Sequence, residues 1–139
     1  MENVNIWAVV VAAIASMVIG SIWYGPLFGK MFIRLMGLDQ KSPEEQAAMK
    51  KGMIWLYVIQ FIGSIIMFCI LGWVLAEMGD NYAGTSGALH ITLLVWLGFI
   101  VTTHLGNAIW GGKIKLFWLA LGNSLITMVV GALILVMWK

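Results

Sequence analysis

Four apolar runs of span length, at about residues 5–24, 52–76, 88–110 and 116–138, limit what this chain can become. No aspartate, glutamate, lysine or arginine falls inside any of them. A hydrocarbon core about 30 Å thick is crossed by about 20 apolar residues of helix. Within it the backbone must satisfy its own hydrogen bonds, which leaves only helices and closed barrels. The pattern predicts an all-α membrane protein, a four-transmembrane-helix bundle in which residues 1–139 form a single transmembrane domain. The charge content agrees, because 10% of the residues are charged, whereas a soluble domain averages about 25%.

The eight basic residues are unevenly shared. Lys30, Arg34, Lys41, Lys50 and Lys51 lie between spans one and two, and Lys113 and Lys115 between spans three and four. Only Lys139 lies on the other side. The positive-inside rule then predicts a multi-pass protein of the bacterial inner (cytoplasmic) membrane with both termini outside. The same bias opposes a dual-topology antiparallel dimer, and this topology excludes an inverted repeat within the chain. A net charge of +2 is too small and too scattered for a nucleic-acid surface, so no nucleic-acid partner is expected. Met1-Glu2-Asn3 places no positive charge ahead of the first run. That run is also too long for a signal peptide, so the first span is expected to be retained. The single cysteine, Cys69, has no disulfide partner and reads as a packing residue.

The first span ends in Trp23-Tyr24-Gly25-Pro26-Leu27-Phe28-Gly29-Lys30. Trp23 and Tyr24 suit the headgroup layer, Gly25-Pro26 is expected to break the helix, and Lys30 marks the exit. A hinge or recognition corner is the second reading of this motif. Met31, Phe32, Leu35 and Met36 then alternate with Lys30 and Arg34 at helical spacing, which predicts a short interfacial helix ended by Gly37. Ser42-Pro43-Glu44-Glu45 is a helix start, with a serine cap, a proline in the first turn and an acid three residues on. Residues 28–51 are therefore expected to form a cytoplasmic amphipathic and helical segment between spans one and two. Most of the eight tryptophans sit near span ends, as an aromatic belt requires, with Trp96 the mid-membrane exception.

The pattern Trp-Tyr-x-Pro-Leu-Phe-Gly-Lys after a first span resembles a bacterial four-span membrane family known as domain of unknown function 1761. The likeness extends over nearly the whole chain. It includes the four-span pattern, the acidic-basic segment after the motif, and Asn107 followed by a glycine-basic turn. The chain departs from the family pattern at Gly25, where members often have serine, and at Gly111-Gly112-Lys113, where they often have an acid. The resemblance implies an architecture and no activity.

Within the spans, Ala8, Ala12, Ser16 and Gly20 recur every four residues on one face of the first helix. Small side chains at that spacing let a second backbone approach, so this face is expected to be a helix-packing face. The spacing leaves open whether the partner belongs to the same chain. Val9, Ile14, Val18 and Ile22 are expected to face lipid. Gln60 with Ser64, His104 with Asn107, and Asn123 with Thr127 and Gly131 form the polar constellation of spans two, three and four. An unpaired amide in hydrocarbon is costly, so Gln60, His104, Asn107 and Asn123 are expected either to line a polar path or to clamp helices together. His90 and His104 are 14 residues apart, about 21 Å along a helix, too far to share a metal within one chain.

No catalytic constellation is recognisable. Ser16, Ser64 and Ser124 lack an acid partner at depth, and no glycine-rich stretch leads to a phosphate-loop lysine. No enzyme activity, metal or cofactor is expected. The ten methionines are dispersed and read as packing. Two functional classes lead, with a membrane enzyme a weak third. One is a small transport or channel-like component, forming a homo-oligomer, with the polar residues lining its path. The other is a non-transporting module that packs against another membrane protein. The orientation is tested by cysteine labelling at Glu2 and Gln46. Gln46→Cys is expected to react only from the cytoplasmic side, and equal labelling from both sides would reopen dual topology.

Overall fold

The computed structural model describes residues 4–78 and 84–138. Helix α1 covers Ile6–Ile22 and begins at Asn5, whose side chain accepts from the Trp7 backbone amide at 3.0 Å. Helix α2 covers Gly29–Met36 and ends at Gly37, which adopts the left-handed conformation that glycine enters freely. Helix α3 runs unbroken over Pro43–Glu77, with Ser42 accepting from the Glu45 amide at 3.2 Å. The third span is built from α4, Thr85–Val95, and α5, Thr102–Gly111, joined by a π-helical turn over Trp96–Val101. A tight turn at Gly112, again left-handed, leads into α6 over Ile114–Met137. Four helical stretches, Ile6–Leu27, Pro43–Glu77, Thr85–Gly111 and Ile114–Met137, are long and apolar enough to cross a membrane. The connection expected at 78–87 lies partly outside the described residues.

Helix α6 organises the rest. Helix α1 packs along it most extensively, α4 and α5 lie along another side of it, and α3 rests mainly on α1. The Asn5 side-chain amide donates to the Trp138 carbonyl at 3.3 Å, so the first and last helices close one end together, here termed the terminal end. The seven basic residues of the two connections gather at the opposite, basic end.

The main core lies toward the terminal end. It is formed by Ala8, Val9, Ala12 and Ala13 of α1, Phe68 and Leu71 of α3, and Ala132 and Leu135 of α6. Small side chains on α1 bring three backbones together, and the Phe68 ring fills the space left by Gly131. A Cβ on Gly131 would collide with that ring. Gly122 serves Trp23 in the same way, since a Cβ there would stand 2.5 Å from the indole. A second core, Ala108, Phe117 and Leu121 with Trp96 and Val101, holds α5 to α6.

Three expectations are corrected. Val9 is fully buried instead of facing lipid, whereas Ile14, Val18 and Ile22 are exposed. The α1 surface against α6 and α3 is wider than one four-residue stripe, because two helices dock there. Gly25-Pro26 does not break the helix. The chain passes through Pro26 in a π-helical turn over Trp23–Leu27, with the Phe28 amide bonding the Trp23 carbonyl at 2.9 Å, and turns away only after Leu27. Proline removes one amide, and widening the turn moves the bonding register past it. Trp23 also packs within the chain instead of standing free at the span exit. It is half-buried on Gly122 and donates to the Leu119 carbonyl at 3.0 Å.

Gly131→Ala is expected to destabilise the fold by about 1–3 kcal/mol, because the buried Phe68 ring must move. Gly63→Ala, where a Cβ meets nothing within 4 Å, is expected to be neutral or to stabilise by about 0.5–1 kcal/mol. Thermal unfolding of both variants in the same detergent distinguishes them.

Candidate functional site

Helix α3 has 35 residues, about 52 Å of helix, which is more than a membrane core of about 30 Å requires. Only its second half joins the core, and every residue from Pro43 to Gln60 is exposed. Its contacts with α4 are sparse. A cleft of about 820 Å³ therefore opens toward the basic end between the first half of α3 and the rest of the bundle.

The walls follow from helical spacing. Helix α3 contributes Met49, Met53, Tyr57, Gln60, Ser64 and Met67, which recur every three or four residues and so share one face. Helix α1 contributes Ser16, Met17, Gly20 and, past its end, Tyr24. Ile100 and His104 line the cleft from the third span, and Asn123, Ser124, Thr127 and Met128 from α6. Lys50 and Gln46 stand at the mouth. Beyond Ser16 and Ser64 the next turns of the helices belong to the main core, so the cleft is closed toward the terminal end.

The floor is held by a pair of serines. Ser16 Oγ and Ser64 Oγ are 3.2 Å apart. Ser16 Oγ also lies 2.7 Å from the Ala13 carbonyl, and Ser64 Oγ lies 2.9 Å from the Gln60 carbonyl. With one proton each, the hydroxyls bond their own helices or each other, but not all partners at once. Trp96 Nε1 donates to Ser124 Oγ at 2.9 Å, and Ser124 Oγ donates to the Leu121 carbonyl at 3.0 Å, which ties the third span to α6 beside the cleft. Asn123 Oδ1 and Thr127 Oγ1 are buried and have no hydrogen-bond partner among the described residues.

The polar residues expected from the sequence are thus divided. Gln60, His104 and Asn123 surround one cleft. Asn107 is exposed and lies outside it. His104 and Asn107 differ by about 100° × 3, so they flank each other closely. The inward stripe nevertheless runs through Val101, His104 and Ala108, leaving Asn107 at its edge. His90 is exposed near the start of α4. Of the packing face, Ala8, Ala12 and Ser16 are buried within the chain, while Gly20 faces the cleft with nothing within 4 Å of a Cβ.

The motif after the first span builds a corner beside the mouth. The Trp23 and Phe28 rings are 4.7 Å apart and those of Tyr24 and Phe32 4.9 Å apart. Gly29 is buried against the Tyr24 carbonyl, where a Cβ would come within 2.9 Å. Pro26 and Lys30 are exposed. Sequence reasoning missed the methionines, five of which (Met17, Met49, Met53, Met67 and Met128) line the cleft. The stripe on α3 was the signal that could have revealed them. A smaller depression of about 360 Å³ at the terminal end, around Asn5, Gly72 and Trp138, contains no comparable polar cluster.

The class is thus a bundle of four helices apolar enough to span a membrane, with a polar-floored cleft open at one end. A family model described as "Protein of unknown function (DUF1761)" matches residues 7–136, nearly the whole chain, and the chain belongs to that family. No curated protein and no solved structure matches it.

If the Trp96–Ser124 bond anchors the third span, Trp96→Phe and Ser124→Ala should each lower stability by about 0.6 kcal/mol, the average for such a bond in a membrane bundle. The double variant should lose little more than either single one. Additive losses in a thermal double-mutant cycle would show that the two act separately.

Proposed function

We propose that this protein is a small transport component of the bacterial inner membrane that binds its solute in the cleft. Its basic connections lie in the cytoplasm, so the cleft opens inward. One observation carries this reading: polar side chains of three helices, Gln60, His104 and Asn123, surround one open cleft. A clamp would pair these groups helix to helix, as Trp96 and Ser124 are paired. Closure toward the terminal end further supports a binding site reached from one side over a continuous pore. Sites at the bilayer midplane, open to one side at a time, are the arrangement that alternating access uses. The competing reading, a module that assembles with another membrane protein, draws on a small-residue face; most of that face is occupied inside the chain.

The test uses single cysteines at Gln60 and Asn123 in a Cys69→Ala background, with charged thiol reagents added from either side. Both positions are expected to react from the basic side and to resist reagent from the other. Reaction from both sides would favour a channel, and no reaction from either would favour a dry clamp.

Two variants sharpen the result. Gly20→Trp adds its ring on the cleft wall at a position where a Cβ meets nothing within 4 Å and is expected to block labelling at Asn123→Cys while leaving thermal stability unchanged. His104→Leu is expected to slow labelling there several-fold by making the wall apolar, with the protein still folded and inserted. A His104→Leu protein with normal labelling and normal stability would remove this residue from the site.

A further inference from the structure

We infer that the occupant of the cleft is an anionic amphiphile with a single alkyl chain, a long-chain carboxylate in chemical class, its headgroup paired with Lys50 at the mouth and its chain laid along the inner stripe of α3. The inference rests on the reading of the cleft as a binding site and adds the chemistry of what enters it.

Lys50 lines the mouth, is exposed, and forms no ion pair or hydrogen bond among the described residues. It is the only aspartate, glutamate, lysine or arginine side chain in the lining. The acids of the basic end, Asp39, Glu44 and Glu45, lie outside the lining. An anion therefore meets an unpaired positive charge as it enters. A cation meets repulsion there and no counterion deeper in.

Beyond Lys50 the cleft suits a chain. Met53, Tyr57 and Ser64 follow Lys50 by three, seven and fourteen residues, and so share its side of α3. From Lys50 to the serine floor is about 21 Å along the helix. That exceeds half of a hydrocarbon core about 30 Å thick, the depth that one membrane acyl chain occupies. Met17, Met49, Met53 and Met67 border this path, and none of them is buried. Their unbranched thioethers adapt to a flexible apolar chain, and each methylene that leaves water against them favours binding. The volume of about 820 Å³ lies within the range of about 300–1,000 Å³ for sites that hold one small ligand.

The deep end sets no polar requirement. Ser16 and Ser64 are buried and bonded to protein. Asn123 Oδ1 and Thr127 Oγ1 are enclosed by protein and lie out of an occupant's reach. A charge carried to this depth would be costly. The amphiphile avoids that cost, because its headgroup stays beside Lys50, just ahead of the second apolar run. Gln60 and His104 border the chain at mid-depth and offer no acid to a cation. A small, wholly polar solute would leave the methionine wall uncovered.

The test uses the full-length protein in phosphatidylcholine nanodiscs at pH 8, with photoreactive palmitate and the alcohol and trimethylammonium of the same chain, compared at equal mole fraction in the bilayer. The palmitate probe is expected to label peptides containing Met17, Met53 or Met67, to saturate, and to bind more tightly than the other two. Lys50→Gln should weaken it about two- to fivefold, the range of an exposed ion pair, and leave the alcohol unchanged, whereas Lys50→Arg should retain it. Lys51→Gln removes the same charge from a residue outside the lining and should have no effect. Equal or tighter binding of the alcohol or the ammonium would overturn the assignment while leaving the cleft a binding site. An equal loss from Lys51→Gln would also overturn it, since general surface charge would then account for the preference. Displacement of the probe by phosphatidylglycerol as readily as by unlabelled palmitate would overturn the single-chain assignment in favour of a bilayer lipid. Absence of saturable labelling by every probe, together with no reaction of Gln60→Cys from the basic side, would overturn the transport reading as well.

Discussion

Close approach of helices to α6 is the constraint on which the rest of the structure depends. Helices in lipid gain little hydrophobic free energy by associating, because the acyl chains are as apolar as the side chains they replace. Association then relies on dispersion between surfaces that fit. Helix α6 supplies the fit by omission, offering Gly122 to the Trp23 indole and Gly131 to the Phe68 ring. Each ring comes from a different helix, so α6 registers the end of α1 and the second half of α3 independently. The alanines and Ser16 of α1 complete the contact from the other side.

The two glycine sites also explain where the bundle is closed and where it is open. Phe68 ties α3 to α6 at Gly131, and around it toward the terminal end α1, α3 and α6 share one apolar core. Before Ser64, α3 has no buried side chain, and it leaves the bundle as an unbroken helix. The polar residues of α6, Asn123 to Thr127, fall between the two glycine sites, at the point where packing gives way to open space. Their position makes a mixed role natural: Ser16, Ser64 and Ser124 bond to protein, and Asn123 and Thr127 do not.

Much of the fold was legible in the sequence because its signals are local. Span length, the cap at Ser42, the left-handed glycines at Gly37 and Gly112 and the small-residue face of α1 all act within a few residues. Gln60, His104 and Asn123 were legible as residues that need an explanation at depth, but their convergence was not, since it depends on how α3 leans. The uses of Trp23 and Val9 were hidden for a related reason. Each is decided by a residue on another helix, Gly122 for the indole and the α3–α6 seam for the valine, and no periodicity within α1 reports that. Asn107 shows the limit most clearly. It differs from His104 by less than a quarter turn, and that difference alone places it outside the cleft.

The π-helical turn of the third span has a place in this arrangement. It covers Trp96–Val101, and each such turn adds a residue to the helix without adding a full step of rotation. The shift lets Trp96 bond Ser124 on α6 while His104, two turns later, still reaches the cleft wall. Thr102 Oγ1 donates to the Gly98 carbonyl at 2.7 Å across it. The third span both anchors to α6 through Trp96 and borders the cleft through Ile100 and His104. The π-helical turn thus places the least regular backbone of the third span at and beside the residues that face the cleft.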